Sequence, residues 1–316
     1  MSAFRRIRFS PVVQDRAPFS RVSCVSSRRS TRATPRPGRL LSRLLAPTLL
    51  STVLLTAGAC SGEGDVSHPD TISGAATLPE DAAIEHLSPQ IVATYAWNPE
   101  SFTQGVEVDE GRNLIVGTGL YGESRIYRAT LNGEETDSHR LPQQFFGEGI
   151  TIHGDKVWQL TWKSGTAFER RRNDLSVIKT VNYEGQGWGI CSDGERLIMS
   201  DGSGTLVFRH PESFEQIGSV NVTIDGQPTT YLNELDCSED GSIYANVWQT
   251  DHILRIDPAS GDVTGVIDTA GAFDARFRPG ADVLNGIAHI PGSDRYLLTG
   301  KKWDTAYEVR FVPTVT

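Results

Sequence analysis

The chain has 316 residues, 38% of them hydrophobic, with 30 Lys and Arg against 39 Asp and Glu. Residues 1–43 hold eleven of the arginines and a single aspartate, so the remainder carries 19 basic and 38 acidic residues, a balance of −19. So acidic a surface favours solubility and opposes nucleic acid or an anionic membrane face as a partner.

In chain order, the basic region leads into an apolar run, Leu44 to Leu55, broken by Pro47, Ser51 and Thr52 and followed by Ala57-Gly58-Ala59-Cys60. The run is too short to span a bilayer comfortably, and residues 1–59 read as an export signal. Ala-Gly-Ala-Cys resembles the lipobox of bacterial lipoproteins, in which the cysteine becomes the lipid-modified first residue. Ala57 stands where Leu is usual, and plain secretion with an incidental Cys60 thiol is the alternative. Arg28-Arg29 lacks the apolar pair expected for twin-arginine export and reads as leader charge. Residues 60–89 are rich in Gly, Ser, Asp and Glu, the composition of a flexible tether. From Gln90 onward, 227 residues are enough for one domain with a sizeable core.

Of the four cysteines, Cys191 and Cys237 fall in this domain; a disulfide and two buried thiols are both open readings. No CxxC or HExxH spacing occurs, and His139, His153, His210, His252 and His289 are too scattered to propose a zinc site. No metal or cofactor is expected.

The domain shows short runs of Val, Ile, Leu, Thr, Tyr and Trp between turns such as Asn132-Gly133, Asp193-Gly194 and Asp240-Gly241, which predicts an antiparallel all-β architecture. Five segments repeat one strand start. They are Phe102-Thr-Gln104-Gly105, Phe146-Gly-Glu148-Gly149, Gly187-Trp188-Gly189, Asn233-Glu234-Leu235 and Asn285-Gly286, each followed by a turn and a second apolar strand. A recurrence every 40 to 50 residues, with about four strands each, predicts a five-bladed β-propeller. A two-sheet sandwich gives no reason for a repeated glycine-rich start.

In a propeller the innermost strands line a central channel, so Gln104, Glu148, Trp188, Asn233 with Glu234, and Asn285 should converge at one mouth. Glu148 lies in Phe145-Phe146-Gly147-Glu148-Gly149-Ile150, where neighbouring rings would desolvate the carboxylate and raise its pKa. On that stretch alone the plainer reading is a strand-entry bulge with a solvated Glu.

Nine ordered motifs between Tyr95 and Val312 resemble the plant and bacterial glutamine cyclotransferases: Ser101-Phe-Thr-Gln-Gly105, Phe146-Gly-Glu-Gly149, Leu160-Thr-Trp-Lys163, Gly187-Trp-Gly189, Met199-Ser-Asp-Gly202, Leu232-Asn-Glu-Leu235, Tyr244 to Asp251, Leu284 to Ala288 and Leu298-Thr-Gly-Lys301. The resemblance implies a five-bladed propeller that converts N-terminal glutamine of peptides or proteins into pyroglutamate with release of ammonia. It implies Glu148 as the general acid/base, and Gln104, Asn233 and Lys301 as polar pocket residues. It also implies an aromatic wall of Phe102, Phe146, Trp162, Trp188 and Trp248. Trp97, Asp236 and Ala167 depart from the family pattern without removing a catalytic group.

Two other functions fit the same channel. Glu148, Asn233, Glu234 and Asn285 are suitable oxygen ligands for a divalent cation, as in propeller lactonases. A noncatalytic extracellular peptide-binding propeller would share the fold and the pocket. The chain is expected to be an exported monomer, in contact with a membrane only through a lipid at Cys60, on the outer face of a bacterial cytoplasmic membrane.

Overall fold

The computed structural model describes residues 83–314. The expected export signal, Cys60 and most of the expected tether lie outside them.

Runs of β-branched and aromatic residues between tight turns pair into four-stranded antiparallel meanders. The first is Thr103–Val108, Asn113–Thr118, Arg125–Thr130 and Glu135–Arg140. The second is Gly147–His153, Lys156–Thr161, Thr166–Arg171 and Val177–Asn182. The third is Ile190–Ser192, Leu197–Met199, Thr205–Arg209 and Gln216–Asn221. Each forms its own sheet.

Apart from a two-stranded hairpin, Thr223–Ile224 with Gln227–Pro228, the remaining strands share one eight-stranded sheet, and here hydrogen bonding departs from a simple repeat. A fourth meander (Leu232–Cys237, Ile243–Val247, His252–Ile256, Val263–Asp268) and a fifth (Leu284–His289, Tyr296–Gly300, Thr305–Pro313) are joined by Glu85–Ala96. That first strand runs antiparallel to Thr305–Pro313 and pairs in parallel through Glu85, His86 and Leu87 with Gly265, Val266 and Ile267. One strand thus covers two sheet edges that would otherwise present unpaired backbone groups.

The strand also corrects a boundary. The tether expected over residues 60–89 ends by Glu85, because Glu85 to Pro89 are already paired and Leu87 is buried. The polar composition of this stretch concealed a strand whose partners lie some 180 and 220 residues away.

Burial falls from the inside outward within the first three meanders. Thr103–Val108 and Leu232–Cys237 are almost wholly buried, whereas the outermost strands Val177–Asn182 and Glu135–Arg140 are mostly exposed. The apolar side chains pack between neighbouring meanders. Ile115, Ile126, Ile150 and Val157 join the first to the second; Trp158, Leu160, Ile190 and Phe214 join the second to the third. The fifth meander meets the first through Ala288, Ile290 and Leu297 against Val106, Leu114 and Tyr127, which closes the ring. The third and fourth share a core containing Ile198, Leu206, Leu235 and Ile243. Across that contact Cys191 and Cys237 form a disulfide, with their Cα atoms 5.4 Å apart, which decides between the two readings of this pair. The strands therefore point their first residues at one end of a common axis.

Candidate active site

Four of the five inner strands open on a register break at the same place. The breaks fall between Thr103 and Gly105, Gly147 and Ile150, Leu232 and Leu235, and Leu284 and Ile287. An extra residue in a strand leaves the ladder and re-aims its side chain. The residues at those breaks are Gln104, Glu148, Asn233 with Glu234, and Asn285. In the third meander regular pairing begins only at Ile190, and Trp188 takes the equivalent position. The bulge that looked like an alternative to a site is what presents the site residues.

The recurring glycine has a steric cause. A Cβ on Gly149 would lie 2.7 Å from the carbonyl oxygen of Trp188, and one on Gly189 would lie 2.1 Å from that of Asn233. Neighbouring inner strands approach too closely for any side chain there. This contact, reinforced by Gly149 N–H donating to Trp188 O at 2.8 Å, brings Glu148, Trp188 and Asn233 together.

Glu148 is 4% exposed and its carboxylate accepts no hydrogen bond among the described residues. Burial lifts its pKa well above the ordinary carboxylate range, and the ammonium of Lys301 pulls it partly back. Lys301 is buried in turn; desolvation holds its pKa below the usual lysine value and Glu148 opposes the shift. Its Nζ sits 4.9 Å from the centre of the Phe102 ring. Lys302 is exposed, so Lys301 is the inward lysine.

The other polar residues are also buried. Asn285 Nδ2 donates to Gln104 Oε1 and to Thr103 O, both at 3.1 Å. Asn233 Oδ1 and Trp188 Nε1 have no hydrogen-bond partner among the described residues. They offer a free acceptor and a free donor beside Glu148, which is what recognition of a carboxamide requires.

Two aromatic groups flank these residues. Phe146 meets Phe102 edge-on at 6.1 Å and Trp162 at 5.5 Å, while Lys163 Nζ lies 3.9 Å over the Trp162 ring. Trp188 and Trp248 meet edge-on at 5.5 Å. All five are half-buried. Two rings are additional to the sequence reading: Tyr121, 5.4 Å from Phe146, and Tyr231, 5.8 Å from Trp248. Tyr231 precedes its inner strand as Phe102 and Phe146 precede theirs, so the repeat contained a signal for it. Tyr121 lies in a loop with no counterpart in the repeat.

Further along the inner strands is a second set of carboxylates. Glu234 accepts from Ile287 N at 2.8 Å and Val106 N at 3.3 Å; Asp236 accepts from His289 N at 2.8 Å. Glu107 accepts from Thr151 Oγ1 at 2.7 Å. Desolvation raises all three, Glu107 to about 7. These carboxylates bridge backbones of different meanders. Among the described residues, no group of three or more His, Cys, Asp or Glu is placed to hold a metal ion.

The chain is similar to known proteins. The family model for glutamine cyclotransferase matches residues 67–311. Glutaminyl-peptide cyclotransferase of Arabidopsis thaliana is 34% identical over 227 residues, 70% of each chain. The crystal structure of Myxococcus xanthus glutaminyl cyclase is 35% identical and superimposes with a TM-score of 0.69, over 74% of this chain and all of that one. On the strength of a family match across the whole ring of meanders, this chain belongs to the glutamine cyclotransferase family.

Proposed function

We propose that this glutaminyl-peptide cyclotransferase closes N-terminal glutamine to pyroglutamate with Glu148 as its proton carrier. The observation that carries the reading is a deeply buried carboxylate with no hydrogen-bond donor of its own, held beside Lys301 and between two aromatic groups. The substrate α-amine attacks the γ-carboxamide carbon, forming the C–N bond while the carbonyl π pair moves to oxygen. Glu148 takes the proton the amine loses and returns it to the amide nitrogen. The tetrahedral centre then collapses, the old C–N bond breaks and ammonia leaves. One group serves both transfers because its pKa is raised toward the working pH.

Lys301, Gln104 and Asn233 supply the remaining polar recognition. The Lys301 ammonium offsets the negative charge developing on the amide oxygen, and Gln104 and Asn233 fix the carboxamide. Phe102, Phe146, Trp162, Trp188 and Trp248 exclude water and hold the glutamine methylenes.

We read the five meanders as five propeller blades, two of them fused by the first strand. The chain is further read as an exported monomer with a lipid at Cys60. The leader pattern and the Cys191–Cys237 disulfide support an oxidising compartment.

The test of the reaction is incubation of the purified domain with a Gln-initiated peptide, in buffer and with a chelator. Loss of one ammonia from the peptide mass, unchanged by the chelator, is expected. An intact peptide would reject the reaction, and chelator-abolished turnover would favour the metal-dependent hydrolase reading. Mass analysis of the exported protein for an acyl group on Cys60 tests the anchor.

A further inference from the structure

Asn285 has no part in the reaction as described, yet it is wholly buried beside a residue that does. The fourth meander fixes its backbone: Gly286 N–H donates to Asn246 Oδ1 at 3.0 Å and Ile287 N–H to Glu234 Oε2 at 2.8 Å. Its side chain reaches the first meander, where Nδ2 donates to Thr103 O and to Gln104 Oε1, both at 3.1 Å. The inner strands of the first and second meanders also touch, since a Cβ on Gly105 would lie 2.5 Å from Ile150 N. Gln104 therefore sits between Asn285 on one side of the ring and Glu148 on the other.

An amide side chain has a donor end and an acceptor end of nearly the same shape, and its partners decide which way round it lies. Thr103 O is a backbone carbonyl and can only accept, so the end of Asn285 against it must be Nδ2. Turned over, Asn285 would press Oδ1 against that carbonyl oxygen. Asn285 Oδ1 is buried without a partner among the described residues, so the two donations alone hold the orientation. The second hydrogen of Nδ2 then dictates the Gln104 amide, which meets it with Oε1. With Oε1 taken, the end of Gln104 left to a ligand is Nε2. The stem is confined as well, because a Cβ on Gly119 would lie 3.2 Å from Gln104 Cγ. Asn233 Oδ1 has no such partner to fix it among the described residues. Of the two pocket amides, Gln104 is the one whose polarity the fold sets.

We infer that Asn285 is a positioning residue: it holds Gln104 with Nε2 toward the substrate, so that Gln104 acts as a donor to the γ-carboxamide oxygen. The consequence is directional. A donor at Gln104, together with the Lys301 ammonium, draws the amide oxygen to one side and leaves the amide nitrogen, the leaving group, for the proton held by Glu148. The same bond strengthens as negative charge develops on the oxygen of the tetrahedral centre. Gln104 with its ends exchanged would set Oε1 against the carboxamide oxygen and favour the reverse placement. This role rests on the glutamine site proposed above.

The test is a double-mutant cycle on Asn285→Leu and Gln104→Met, two changes that keep side-chain length and remove the amide ends. Two readouts are taken on the purified protein. One is kcat/KM for ammonia release from a Gln-initiated peptide. The other is Kd, by calorimetry, of the same peptide with its α-amine replaced by hydrogen, which keeps the carboxamide and cannot cyclise. Asn285→Leu is expected to lower kcat/KM and weaken Kd about threefold to tenfold. In the Gln104→Met background the same change should alter either value by no more than about twofold. Asn285→Asp, of unchanged size, serves should the leucine variant not fold. An aspartate there carries at most one proton, so it cannot serve both Thr103 O and Gln104 Oε1, and its bare oxygen attracts Nε2 and turns the Gln104 amide round. Its loss should be at least as large and should vanish in the same background. Unchanged values, or an equal loss in both backgrounds, overturn the inference, since a merely structural Asn285 acts whether or not residue 104 carries an amide. Coupling in Kd without ammonia release from the aminated peptide counts against the proposed reaction and supports the positioning role.

Discussion

Glu148 and Asp236 are both carboxylates buried on inner strands, both with pKa values raised by desolvation, yet their surroundings differ in kind. Asp236 receives the backbone N–H of His289 from the next meander, and its neighbours Glu234 and Glu107 likewise take donors from adjacent strands. Glu148 receives none and faces an ammonium. A buried carboxylate whose oxygens are taken up by backbone donors joins structural elements. One left without donors beside a cation is free to exchange a proton, and burial alone does not distinguish the two.

Three changes sharpen that contrast. The largest effect is expected at Lys301→Met, which removes the cation facing Glu148. Loss of oxyanion stabilisation should lower kcat by about 10² to 10³. Lys301 also holds the Glu148 pKa down, so without it the acid becomes harder to ionise. The rising limb of the pH–rate profile should therefore move to higher pH, and an unmoved limb would break the link between the two residues.

Next is Cys191→Ser, which acts on the structural region only. The bridge closes a loop with a sequence separation of 46, and by chain entropy its removal should cost about 4 kcal/mol of unfolding free energy. Denaturant unfolding measures the loss, and kcat of the folded fraction should be retained.

The smallest effect concerns pH. Glu107 has a folded pKa of about 7 against 4.5 in its ordinary state, so the folded chain binds the proton more tightly. Its contribution to stability is complete below pH 4.5 and is lost as pH rises to about 7. Ion-paired Asp109, Glu135 and Glu308 have lowered values and act with the opposite sign, at pH below that window. Glu107→Gln should therefore flatten the decline in unfolding free energy between those pH values, and an unaltered slope would remove Glu107 from the set.

Much of this was legible in the sequence because the physical constraint recurs. Gly105, Gly149, Gly189 and Gly286 mark the start of an inner strand in four of the five repeats, and the close approach of neighbouring strands at Gly149 and Gly189 forbids a side chain there. Glu148, Gln104, Asn233 and the rim aromatics follow from alignment to those glycines. What lacked a local signature was hidden. Glu85–Ala96 shows no clean alternation of burial, and it is held by pairing to strands from the far end of the chain. A spacing of 46 between Cys191 and Cys237 carries no information about a Cα separation of 5.4 Å. The stitching role of Asp236 depends on which backbone N–H faces it, which only the assembled ring reveals.

The most direct measurement follows ammonia release and denaturant unfolding side by side for Glu148→Gln and Asp236→Ala. Glu148→Gln should lose about 10² to 10⁴ in kcat on a Gln-initiated peptide and unfold no more easily than wild type. Asp236→Ala should keep its kcat and lose about 1–3 kcal/mol, because the His289 N–H is left without its acceptor. Turnover surviving in Glu148→Gln, or lost in a fully folded Asp236→Ala, would contradict the division of labour between the two carboxylates.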